Sequence, residues 1–197
     1  MGVLFDWLSI RDDAWVGVSW GKDSVVVAHL VSRVDPSVPL AHETMEAHET
    51  TPGSARVRNA YLQLTGQPYT EVASTDGDRW QTADEDRMTH FGALNRAFSG
   101  PRVTGVRAAE SGTRAMSASV HGLSTARVCR PILHWPTWAV FAYLYDHDLP
   151  VHPSYAMTMG GRLDRERLRV DGLGGYRGRD MGRAEWERTY YGDIMSR

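Results

Sequence analysis

Short apolar runs alternate along the chain with stretches in which apolar residues recur at helical spacing, an alternation that predicts βαβ units around a parallel sheet. Residues 14–18, Ala-Trp-Val-Gly-Val, read as a buried first strand. A helix is expected over Asp23–Val34, where Val26, Val27, Leu30, Val31 and Val34 share a face and Asp35-Pro36 ends the segment. So many β-branched residues lower intrinsic helix propensity, so burial has to override it. Second and third strands are expected over Val38–Ala41 and Pro68–Ala73, flanking a helix from about Pro52 to Leu64 that Gly66 stops. A further helix over Asp84–Phe98 ends at Ser99-Gly100-Pro101. Arg102–Val106 and Cys129–Leu133 complete five strands, and Pro136 opens a helix to about Asp148, closed by Leu149-Pro150.

The texture changes after residue 159. Residues 160–183 hold seven glycines and seven arginines, a composition expected of an arm or lid rather than a core. The aromatic segment Glu185–Ile194 (Trp186, Tyr190, Tyr191) is expected to dock back as a short helix. The organisation read from the chain is one α/β domain over residues 1–158 and an arm over 159–197. A repeated Ala-His-Glu-Thr at 41–44 and 47–50 is too short to imply a repeat fold.

Composition sets outer limits. At 197 residues, 42% hydrophobic and 23% charged, the chain has the make-up of one ordinary globular domain. No apolar run approaches the roughly 20 residues of a membrane helix. The start has no basic region, and Asp6 stands where a myristoylation motif wants Ser or Thr, so a cytoplasmic location without membrane association is expected. Cys129 is the sole cysteine, which excludes an internal disulfide, an all-cysteine zinc site and an iron–sulfur cluster built by one chain. Net charge is −2, divided into −6 over residues 1–100 and +4 over 101–197. The positive half is a candidate for contacts with phosphate or sulfate, and its Arg-rich arm for contacts with nucleic-acid phosphates.

One cation stands apart. Of 22 basic residues only Lys22 is a lysine, and it lies in Ser19-Trp20-Gly21-Lys22-Asp23-Ser24, between the first strand and the first helix. That placement suits anion binding: a strand delivers the chain to a tight turn, and amides at the new helix start point at the ligand. Gly21 permits close backbone approach, Ser19 and Ser24 add hydroxyls, and Lys22 adds a point charge. Asp23 implies either a Mg²⁺ ion carried with a nucleotide or a structural bond that orders the loop. The Walker pattern is not present.

The loop resembles the PP-loop S-G-G-K-D-S of N-type ATP pyrophosphatases and of the sulfonucleotide (PAPS) reductase family, with Trp20 in place of the first glycine. Three later segments are similar to the latter family. They are Gly105-Val106-Arg107-Ala108-Ala109-Glu110-Ser111 with Arg114, Arg130-Pro131-Ile132-Leu133-His134-Trp135-Pro136-Thr137, and Leu149-Pro150-Val151-His152-Pro153-Ser154-Tyr155. The resemblance implies a doubly wound adenine nucleotide alpha-hydrolase-like fold, with a nucleotide across the carboxyl ends of the strands. It implies a nucleotide- or phosphate-binding set of Ser19, Trp20, Gly21, Lys22, Asp23, Ser24, His42, Gly105, Arg107, Glu110 and Arg114. The chain shows no counterpart of that family's C-terminal E-C-G-L-H element.

The leading functional expectation is cleavage of ATP between its α and β phosphates with Mg²⁺. An unidentified acceptor is adenylylated, Lys22 and the loop stabilise departing pyrophosphate, and Arg107 holds the α-phosphate or the acceptor. A second expectation keeps APS or PAPS as substrate and takes the reducing thiol from another protein. A third is a non-catalytic nucleotide sensor or accessory subunit. Homo-oligomerisation is left open. His42, Glu43, Glu46, His48 and Glu49 lack the i, i+4 spacing of a helical zinc pair, so no zinc is expected there. Cys129 reads as a small buried hydrophobe, and His134 and Trp135 as helix-start residues near the ligand or in the core.

Overall fold

The computed structural model of the chain describes residues 2–45, 51–74, 92–170, 173 and 182–195. Among these, five strands, β1 (Trp15–Gly17), β2 (Leu40–Met45), β3 (Tyr69–Ser74), β4 (Arg102–Val103) and β5 (Val128–Cys129), form one sheet in the order β3-β2-β1-β4-β5. Every neighbouring pair is parallel, with Val16 opposite both Leu40 and Val103. The flanking helices are α1 (Gly2–Leu8), α2 (Lys22–Ser32), α3 (Ser54–Thr65), α4 (Gly92–Ala97), α5 (Gly112–His121), α6 (Thr137–Asp146) and α7 (Arg183–Met195). The α/β class and five-stranded parallel sheet expected from the hydrophobic pattern are those observed. No helix among the described residues is long and apolar enough to cross a membrane.

Strand alternation divides the core. Val16 and Leu40 face one side, against the valines of α2, Val57 and Tyr61 of α3, and Val140 and Leu144 of α6. Trp15 and Ala41 face the other side with Leu94, and Phe98 stacks on Trp15 at 5.3 Å. An all-parallel sheet needs both faces covered, and here both are. Val25, Val26, Val27 and Val31 are fully buried, so packing outweighs their weak helix propensity.

The chain runs outward from β1 through β2 to β3, then returns to place β4 on the other side of β1. The topological switch point therefore lies between β1 and β4, where an open α/β sheet presents a crevice at its carboxyl ends. Both β4 and β5 are shorter than the apolar runs predicted. After Val103 the Thr104 amide donates a last bond to the Cys129 carbonyl at 2.9 Å. Gly105 then turns the chain against the start of α2, and Pro131 has no N–H to extend the β5 ladder. The helix expected over Asp84–Phe98 is described only as α4, its earlier part lying outside the described residues, as do Glu46, His48 and Glu49. Pro136 precedes α6 instead of opening it. Helices α1 and α5 had no counterpart in the pattern; α5 buries only Ala118 and leaves Met116 and Val120 exposed.

The described part of the 159–197 segment builds a second apolar cluster. Leu168, Val170, Leu173, Trp186 and Tyr191 pack around Tyr155, with Phe141 of α6 beside them. Trp186 donates its indole N–H to the Met157 carbonyl at 2.7 Å, and Tyr191 meets Ser154 hydroxyl to hydroxyl at 3.2 Å.

Two consequences are measurable. A β-carbon on Gly105 would stand 2.9 Å from the Asp23 carbonyl carbon and 3.1 Å from the Ser24 nitrogen, backbone atoms that cannot rotate away. Gly105→Ala is expected to cost about 1–3 kcal/mol, read as a lower urea midpoint at unchanged slope; an unchanged midpoint would show that the turn withdraws freely. Burial also lowers His29 to about 4, helped by His147 and Arg33, and lowers His152 to about 4. Both histidines take up protons more readily unfolded than folded, so stability is full above about pH 6.5 and is lost as pH falls toward 4. The melting temperature is expected to fall between pH 6.5 and 5, and the paired replacement His29→Gln and His152→Gln to flatten that slope. An unaltered slope would assign the loss to other groups.

Candidate functional site

The loop after β1 and the turn after β4 face each other across the switch-point crevice. Gly17, Val18, Ser19, Gly21, Lys22, Asp23 and Ser24 line one wall, and Thr104, Gly105, Val106, Glu110 and Arg114 line the other. Tyr155, Leu168, Arg169 and Val170 close a third side. The loop is tied to itself through Ser24, whose hydroxyl donates to the Gly21 carbonyl at 3.0 Å and accepts from the Ser19 amide at 3.2 Å. Helix α2 begins at Lys22, so its amino end opens into the crevice.

Asp23 holds the charged centre together. One carboxylate oxygen accepts from the Lys22 ammonium at 2.8 Å and the other from Arg107 Nε at 2.6 Å. Lys22 is 3% exposed and Arg107 is 1% exposed, and charges so deep require partners. Arg107 also donates to the Thr137 hydroxyl at 3.1 Å and the Trp135 carbonyl at 3.2 Å. Glu110 accepts from the Arg107 amide at 3.2 Å and from the Arg114 guanidinium.

Tyr155 reaches this centre from far along the chain. Its hydroxyl accepts the Lys22 backbone N–H at 3.0 Å, and its ring centroid lies 5.2 Å from the Lys22 ammonium. A β-carbon at Gly21 would meet that hydroxyl at 3.1 Å, which explains glycine there. The four segments singled out by resemblance thus converge: Asp23 binds Arg107, Arg107 binds Trp135 and Thr137, and Lys22 binds Tyr155.

Three residues of the expected binding set lie elsewhere. Trp20 has φ 60°, the left-handed conformation that glycine adopts freely, and its side chain turns away from the crevice. It is 1% exposed and packs against Tyr61, Tyr69 and His42 at centroid distances of 5.9, 5.4 and 6.4 Å. Aromatic packing holds a strained backbone where the resembling loop has glycine. His42 donates from Nδ1 to the Val18 carbonyl at 2.7 Å, tying β2 to the end of β1, and burial lowers its pKa. Arg107 stands behind the wall, committed to Asp23, instead of presenting its guanidinium to a ligand. With one oxygen on Lys22 and the other on Arg107, the contacts of Asp23 are those of a residue that orders the loop. Among the described residues no group of His, Cys, Asp and Glu side chains forms a metal site.

Sequence reasoning missed Tyr155 and Thr104 as lining residues, and pointed to the 168–170 segment only as part of an arm able to close over an anionic substrate. The signal for Tyr155 was its place in a resembling element; Leu168 to Val170 carried none beyond the alternation of apolar and basic residues. Cys129 is fully buried, and burial raises its thiol to about 11. His134 is exposed at the end of the turn before α6, and Trp135 packs against Tyr143 at 5.7 Å.

Comparison with known proteins finds relatives of this sequence and of this fold. Adenosine 5′-phosphosulfate reductase of Bacillus cereus (strain 03BB102) is 26% identical over 151 residues, covering 68% of this chain and 64% of its own length. Phosphoadenosine 5′-phosphosulfate reductase of Xanthomonas axonopodis pv. citri (strain 306) is 27% identical over 162 residues, covering 72% of this chain and 65% of its own. The chain therefore spans just under two thirds of the length of these relatives. Among solved structures, phosphoadenylyl-sulfate (PAPS) reductase from Candida auris, a phosphate complex, superposes with a TM-score of 0.58 at 12% identity over 87% of each chain. NMN synthetase from Francisella tularensis gives 0.53 at 14% identity, over 76% of this chain and 69% of its own. At such identities the two structures speak to the fold alone. The model of the phosphoadenosine phosphosulfate reductase domain matches residues 13–159, a span that contains all four converging segments, and the chain belongs to that family.

Proposed function

We propose that this protein binds a sulfonucleotide, APS or PAPS, in the crevice between the loop after β1 and the turn after β4. There it promotes transfer of the sulfuryl group to a thiol drawn from outside these 197 residues. The observation that carries the reading is the convergence of the loop, Arg107, Thr137 and Tyr155 on one crevice in a chain of this family. This reading displaces ATP cleavage as the leading one. The curated relatives are sulfonucleotide reductases.

The chemistry divides between loop and thiol. The loop, the amino end of α2 and Lys22 hold the nucleotide 5′-phosphate, which gains charge as its bond to sulfur breaks. A thiolate attacks sulfur, the phosphate–oxygen bond to sulfur breaks, and the nucleotide leaves, giving an S-sulfonated thiol. A second thiolate then attacks the sulfur of that thiol; a disulfide forms and sulfite departs with the bonding electron pair. Cys129 takes neither role, because its thiol is buried and its pKa is raised to about 11. A dithiol protein as co-reactant fits the reducing cytoplasm. Arg107 and Asp23 act by positioning: they fix Lys22 and the loop without touching the substrate.

The reading is tested by titrating APS, PAPS and ATP calorimetrically and by assaying sulfite release with a dithiol protein or dithiothreitol. Expected are binding of a sulfonucleotide, dithiol-dependent sulfite, and at least about tenfold weaker binding in Lys22→Ala, the scale of one charged contact. Release of AMP and pyrophosphate from ATP without sulfonucleotide binding would return the site to ATP cleavage. Tight binding without turnover of either would make the protein a nucleotide sensor.

A further inference from the structure

Beside Tyr155, the third side of the crevice comes from residues 168–170, outside the span of the family match. Along this segment Leu168 is buried, Arg169 exposed and Val170 buried. The two apolar residues are anchored in the second cluster with Trp186 and Tyr191. The backbone between them is clamped as well. Arg183 donates from its guanidinium to the Arg169 carbonyl at 2.7 Å, is paired with Glu187 at 2.7 Å, and lies over the Trp186 ring at 4.4 Å. A surface arginine held on a mount this fixed loses less freedom when its guanidinium engages a ligand.

Charge pairing separates Arg169 from the other cations at the crevice. Lys22 is paired with Asp23, as is Arg107 behind the wall, and Arg114 is paired with Glu110. The Lys22–Asp23–Arg107 group carries one net positive charge and the Glu110–Arg114 pair carries none. Among the described residues lining the crevice, Arg169 is the cation without an ion-pair partner.

We propose that Arg169 is a second anion contact of the crevice, taking an anionic group of the bound nucleotide that the phosphate loop does not hold. The group is a sulfuryl or phosphoryl oxyanion, which the planar fork of arginine binds through two parallel hydrogen bonds. The inference deepens the sulfonucleotide reading and rests on it only for the name of the ligand. It assigns to the C-terminal segment a share of substrate binding, in addition to its role in packing Tyr155 against the loop.

The test compares wild type with Arg169→Ala, Arg169→Lys and Arg165→Ala by calorimetric titration of APS, PAPS, ATP and AMP. Arg165 is exposed and matches the charge change without lining the crevice. Melting temperatures confirm that each variant folds. Arg169→Ala is expected to weaken the nucleotide that wild type binds by tenfold or more, and AMP, which has no second anionic group, by less than threefold. Arg169→Lys recovers part of the loss, and Arg165→Ala stays within twofold. A loss confined to PAPS identifies the 3′-phosphate as the group held; an equal loss for APS and PAPS identifies the sulfuryl group. If wild type binds ATP and no sulfonucleotide, the functional reading falls, yet the same ATP-over-AMP loss in Arg169→Ala sustains the contact. Unchanged affinities in Arg169→Ala, or equal losses in Arg165→Ala, overturn the contact while leaving the functional reading in place. A wild type that binds none of the four overturns both.

Discussion

A single carboxylate holds the crevice in shape. Asp23 sits between an ammonium and a guanidinium that are almost fully buried, and neither cation can be left there alone at tolerable cost. Each oxygen serves a different neighbour, so the loop after β1 is bound to the turn after β4 across the switch point of the sheet. From Arg107 the network extends to Trp135 and Thr137 at the start of α6, and from Lys22 to Tyr155 and the C-terminal cluster behind it. Elements spread over about 130 residues of chain are thus fixed around one opening. Preorganisation of this kind lets a site stabilise charge without rearranging during reaction.

The fold was legible because its signals are periodic. Apolar runs set off by Gly and Pro marked the strands, and the spacing of Val26, Val27, Leu30 and Val31 marked α2 against the propensity of valine itself. The loop after β1 stood out in residue order and by a lone lysine. Other features were not, for identifiable reasons. Helix α5 buries one residue, and its Met116 and Val120 stay exposed, so core packing does not mark it. The direction of Trp20 follows from a positive φ angle that no pattern of hydrophobicity encodes. That Arg107 is paired with Asp23, 84 positions away, is a property of the folded chain alone. Equally, Tyr155 stood inside a resembling segment, but its bond to Lys22 depends on how the C-terminal cluster presses it inward.

The two halves of the molecule contribute differently. The family-matched span supplies the sheet, the loop and the wall of the crevice, and carries the features shared with sulfonucleotide reductases. The segment beyond residue 159, read from composition as a lid, contributes in its described part a small core of its own and a cation at the crevice edge. Tyr155 joins the halves: its ring belongs to the second cluster and its hydroxyl bonds the loop after β1. The packing of that cluster therefore reaches the loop through Tyr155.

The claim most open to direct measurement is that a sulfonucleotide lies between the loop and the turn after β4. Backbone-amide NMR of the intact chain during titration with adenosine 5′-phosphosulfate reads this residue by residue. The account predicts saturable shifts centred on Gly21 to Ser24, Gly105 and Arg169, with the far ends of the strands undisturbed. Saturable binding that shifts other surfaces and leaves these amides in place would contradict it.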